Sequence, residues 1–81
     1  MHELSIAVAL VDLACEEVDR RQLRHVEALH LRMGSLSGIA RDALLFSFDV
    51  AAAGTLIEGA SLKVEETEGH ELELFALEIA D

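Results

Sequence analysis

Eighty-one residues leave room for one domain, 1–81, and 16 acidic against 6 basic side chains give a formal net charge of −10. Nucleic acid is excluded as a partner, because phosphate contacts need clustered Lys and Arg. An apolar share of 52% argues against disorder, a single cysteine rules out an internal disulfide or a Cys₄ zinc site, and no apolar run nears the roughly 18 residues of a membrane span.

Leu4, Ala7, Val8, Val11, Ala14, Cys15 and Val18 recur at i, i+3, i+4, i+7 spacing, which predicts an amphipathic helix from about residue 3 to 21. Cys15 on that stripe reads as a small core hydrophobe. Ile6, Leu10 and Leu13 fall nearly opposite, and a second apolar stripe is either sandwiched or a contact surface. Residues 26–33 alternate, predicting a strand with Leu29, Leu31 and Met33 inward and Val26, Ala28, His30 and Arg32 on the other face. A loop at 34–38 leads to a second helix over about 40–53. Leu44, Leu45, Phe48 and Ala51 or Ala52 face inward there, and Gly54 ends it at C′. A second strand is expected over about 61–67 with Leu62 and Val64 inward, then a turn at Glu68-Gly69 and a third strand over about 71–79. In that last segment Leu72 and Leu74 share one parity, and Phe75, Leu77 and Ile79 the other. Both sets reach a core only across an irregularity, so a β-bulge or a change of burial is expected near Leu74-Phe75. The expected fold class is α/β of α+β character: two helices packed on one face of a small three-stranded mixed sheet, in the order α-β-α-β-β.

Four histidines and the terminal amine are the ligand candidates, and His2 stands apart. A histidine next to the chain start brings an amine, a peptide nitrogen and an imidazole close together without any folding. Such an all-nitrogen set suits Ni²⁺ or Cu²⁺ better than tetrahedral Zn²⁺. Peptide nitrogens must lose protons to bind, so affinity should rise with pH. His25 and His30 read as structural, solvated positions. No Ser-His-Asp set, phosphate loop or HExxH is present, so no enzyme activity is expected.

The run Met1-His2-Glu3-Leu4-Ser5-Ile6-Ala7 resembles the start of the HypA/HybF family of hydrogenase nickel-insertion accessory proteins. The resemblance continues through Leu31-Arg32-Met33-Gly34-Ser35-Leu36-Ser37-Gly38, residues 43–50, residues 54–62 and the closing run 71–79. It implies a metallochaperone whose nickel groups are the amine of Met1, the imidazole and amide of His2, and the amide of Glu3. The carboxylate of Glu3 would orient His2 or a partner. It further implies a protein that passes Ni²⁺ to a nickel-handling GTPase or to the hydrogenase large-subunit precursor, with urease as a second recipient; the single cysteine and a start without a basic n-region make the cytoplasm the expected compartment.

One departure stands out. The family carries a zinc-binding segment with two Cys-x-x-Cys pairs between the second and third strands, where this chain has only Thr67-Glu68-Gly69-His70-Glu71. No zinc is therefore expected in this form. A natural short form and a deletion with rejoined ends both fit. His70, in the shortened link, is a candidate extra nickel ligand, and the tight link could favour a strand-swapped dimer. The alternative function is a protein–protein interaction or dimerisation module working through Ile6, Leu10 and Leu13.

Overall fold

The computed structural model describes residues 2–80. Helix α1 spans Glu3–Arg21, β1 His25–Gly34, α2 Arg41–Ala52, β2 Ser61–Thr67 and β3 Leu72–Ala80, in the expected order. Strand β1 lies in the middle of the sheet, parallel to β2 and antiparallel to β3. The α2 crossover makes the parallel pair possible, since parallel neighbours cannot be joined by a tight turn.

The core lies between the helices and one sheet face. Leu29, Leu31 and Met33 of β1 pack with Leu44, Phe48 and Ala52 of α2 and with Ala7, Leu10, Val11, Ala14 and Val18 of α1. Of the stripe expected inward on α1, Ala7, Val11, Ala14 and Val18 are buried, but Leu4 and Val8 are exposed. Leu10, expected on the opposite stripe, is 5% exposed and belongs to the core, and Ile6 packs partly against it. Only Leu13 of that second stripe is open, at 50%. The buried face is thus rotated about the helix axis toward Leu10 and away from Leu4 and Val8, and the two alanines in it let the helix backbone approach closely. The proposed contact stripe is thus not one solvent face.

Two bulges set the parity of the sheet. Between His30 and Leu31 the partners jump from Ala76 to Leu74, leaving Phe75 as the extra residue. Leu72 and Leu74 before it, and Leu77 and Ile79 after it, therefore share the inner face, and Phe75 turns outward. Arg32 stacks on its ring there, 3.9 Å from the centroid. The irregularity expected at Leu74-Phe75 is this bulge. A second shift, between Val26 and Ala28, leaves Glu27 unpaired and swings Val26 into the core, against the expectation that it faced away.

The helix ends follow backbone chemistry. Gly54, at φ 76°, sits just past α2 as expected of a C′ glycine. Helix α1 instead ends on Gln22 in the left-handed region, with φ 53°. The Leu23 N–H then donates to Val18 O at 3.0 Å, which satisfies a last-turn carbonyl.

The β2–β3 link must cross the end of β1, because its two strands flank that one. Gly34 N–H donates to Glu71 O (2.7 Å), Ser35 N–H to Thr67 O (2.8 Å) and Leu36 N–H to Gly69 O (2.9 Å). A Cβ on Gly34 would meet the Gly69 carbonyl oxygen at 2.0 Å, so the crossing needs glycine for space.

Candidate metal centre

His2 is the N-cap of α1. Its carbonyl accepts the Ile6 N–H at 3.2 Å, the first bond of the helical ladder. The amide of Glu3 lies ahead of that ladder and is one of the donors that a helix start leaves without an intrahelical acceptor. The His2 side chain is exposed and makes no capping hydrogen bond. The imidazole caps nothing, and the Glu3 amide stands outside the helical ladder, its N–H turned to the Glu3 carboxylate. Met1, the third expected contributor, lies outside the described residues.

Glu3 is tied down. Its Oε2 accepts the backbone N–H of Ala40 at 2.9 Å, and Ala40 is the N-cap of α2. Ala40 O in turn accepts the Leu44 N–H at 2.9 Å, opening the second ladder. One carboxylate thus sits at the start of both helices, where partial positive charge gathers. The Ala40 N–H is the main reason its carboxyl is held below the usual range. The carboxylate expected to orient His2 or a partner accepts from the Ala40 N–H and from its own backbone N–H.

A carboxyl with a depressed pKa stabilises the fold above its ordinary value of 4.5, and that contribution fades as pH falls through the folded value. Glu3→Gln should therefore lower the melting temperature at pH 7, and its deficit against the unsubstituted chain should shrink below pH 4.5. Melting curves by circular dichroism from pH 7 to pH 3 check this; a deficit that does not change with pH counts against the charged anchor.

His70 is exposed in the link across β1, and its Nδ1 lies 3.0 Å from Leu36 O. A carbonyl only accepts, so Nδ1 carries the proton and Nε2 is the nitrogen left for a ligand. Glu3 and His70 hold opposite ends of the β1–α2 connection, at Ala40 and Leu36. Among the described residues no group of three or more His, Cys, Asp or Glu side chains is arranged to hold a metal. A centre at this end rests on main-chain nitrogens around His2.

The remaining candidates are structural. His30 Nε2 is 3.0 Å from Glu78 Oε1 on the outer sheet face, which also carries Lys63 and the Arg32–Glu65 and Arg32–Glu73 pairs. His30, ahead of Lys63, holds the Glu78 carboxyl below its usual range. His25 opens β1 as an exposed residue, and Cys15 packs half-buried against the core. Sequence reasoning missed Ala40, whose contribution is a backbone N–H that no side-chain pattern marks.

The family model described as "Hydrogenase/urease nickel incorporation, metallochaperone, hypA" matches residues 1–72. A "Hydrogenase maturation factor HypA" of Roseiflexus sp. (strain RS-1) is 58% identical over 66 residues, covering 82% of this chain and 54% of that relative. Its namesake from Chloroflexus aurantiacus is 47% identical over 66 residues, with 82% and 58% covered. The chain thus spans about half the length of the curated relatives it matches. The solution structure of the Ni metallochaperone HypA from Helicobacter pylori shares the fold, with a TM-score of 0.85 at 18% identity over 98% of this chain and 97% of that one.

Proposed function

The chain belongs to the HypA family of nickel-incorporation metallochaperones, which are not enzymes, and from that premise we propose that it carries Ni²⁺ at its N-terminus for the maturation of [NiFe] hydrogenase. The observation that carries this reading is the placement of His2 and Glu3. The imidazole is exposed and caps nothing, and the Glu3 amide precedes the first ladder bond, so deprotonating it costs only the bond to its own carboxylate and none of the helical ladder. Amidate nitrogens of His2 and Glu3 bring two negative charges to the divalent ion, which makes the bound set neutral at the positive end of α1. The Glu3 carboxylate, anchored on Ala40, ties the start of α1 to the start of α2. Acid returns protons to the amides and releases the metal, so affinity rises with pH.

Delivery is a transfer of cargo. The recipients that fit the reading are a nickel-handling GTPase and the hydrogenase large-subunit precursor, with urease as a second enzyme supplied. A zinc segment of the family type needs four thiolates; Cys15, half-buried on α1, is the one cysteine, so these residues do not fit zinc and no zinc-dependent step is assigned. His70 is proposed as an auxiliary ligand through Nε2.

Nickel titration tests the reading. The chain with its native start should take up about one Ni²⁺ with high affinity, and a form with Gly-Ser added before Met1 should not, because the amine moves out of reach. Equal affinity in the two forms would refute the N-terminal site.

A further inference from the structure

Away from the N-terminus, α1 and β3 enclose an open groove of about 620 Å³. Its floor is the inner face of β3, where Leu72 and Ile79 each remain 38% exposed although they face the core side of the sheet. Leu13 of α1 forms the facing wall. The cause is geometric: β3 is an edge strand, and the helices cover β1 and β2 better than the outermost strand. The free edge of β3 offers unpaired backbone groups on both sides of the Phe75 bulge, and its sequence LELFALEIA contains neither the lysine nor the proline that commonly blocks an exposed edge. The rim of the groove is acidic. Glu16, Glu17 and Glu73 line it with Arg21; Glu17 pairs with Arg20 and Arg21 and Glu73 with Arg32, which leaves Glu16 as the rim carboxylate with no ion pair among the described residues.

We propose that this groove docks an extended segment of a partner protein in which apolar residues alternate with Lys or Arg, added as a fourth strand on the free edge of β3. Period two is what the site demands on each side of the Phe75 bulge. Alternate side chains of an added strand enter the apolar groove beneath α1, and those between emerge on the outer face. The charge of the site selects the occupant. A second copy of this chain would bring another net −10 and a β3 with no basic residue, whereas a basic strand is attracted both by the rim and by the whole molecule. This docking surface does not depend on the nickel site, and its test reads no metal.

A display library of random ten-residue peptides, selected against the full chain, supplies the probe. The expected winners alternate Val, Ile or Leu with Lys or Arg. Their affinity should fall at least tenfold for Leu13→Asp and for Glu16→Lys, with both variants checked for native circular dichroism, and should stay within twofold for Glu58→Lys in the α2–β2 connection. Bound peptide should also slow amide exchange along β3. Winners without basic enrichment, or winners that bind both groove variants as well as the unsubstituted chain, would overturn the proposal. So would a self-associated dimer that Leu13→Asp dissolves, since that result gives the groove to a second copy.

Discussion

Replacing His2 by alanine is expected to abolish tight nickel binding and to leave the fold intact. The imidazole is the one ligand in the proposed set that a side chain supplies, and losing it breaks the chelate while the amine and amides stay in place. An amide nitrogen deprotonates near neutral pH only when neighbouring donors already hold the metal, so the loss should exceed that of one ligand among independent equals. A fall of at least a hundredfold in affinity by isothermal titration is the expected result. The fold should not notice. His2 is exposed, its side chain caps nothing, and its helical role is played by a carbonyl that alanine also has. An unchanged melting temperature together with lost binding places the effect at the metal; unchanged affinity would move the site elsewhere.

Gly34→Ala is expected to cost about 3 kcal/mol of stability, the upper part of the range for overpacking a closed site. The new methyl would meet the Gly69 carbonyl oxygen, the Gly69 carbonyl carbon and the His70 nitrogen at 2.0, 2.3 and 2.8 Å, all of them backbone atoms that no rotamer change can move aside. Relief requires the link to lift from β1, which strains the hydrogen bonds from Gly34, Ser35 and Leu36 to Glu71, Thr67 and Gly69. The link is also where His70 reaches Leu36. Urea titration should show a lower midpoint with a nearly unchanged slope. The matching change at Gly69 should be milder, since a methyl there meets chiefly the flexible carboxylate end of Glu71. Equal losses at the two glycines would mean that the crossing is not the tight point.

The contrast between the two sheet bulges shows what can be read before a structure is known. The bulge at Phe75 was legible because Leu72-Leu74 and Leu77-Ile79 demand the same face from opposite parities. The one at Glu27 was not, because Val26 and Ala28 are both apolar and the alternation runs through them without conflict. On α1 the periodicity offered two apolar stripes, and the face that packing buries is centred between the first of them and Leu10, which leaves Leu4 and Val8 exposed. His2 stands out as a candidate in the sequence because proximity to the chain start needs no folding. The anchor of Glu3 on Ala40 does not, since a main-chain donor 37 residues away leaves no trace in side-chain chemistry.

The central place of β1 also orders events during synthesis. Its neighbours are β2, reached only through the α2 crossover, and β3, the last element of the chain. A ribosome therefore completes α1 and β1 long before either edge of β1 has a partner, and the Leu29-Leu31-Met33 face must wait for residues made later. The ligands proposed at the N-terminus are local and need no such wait, so on that proposal metal capture and chain folding are separable in time.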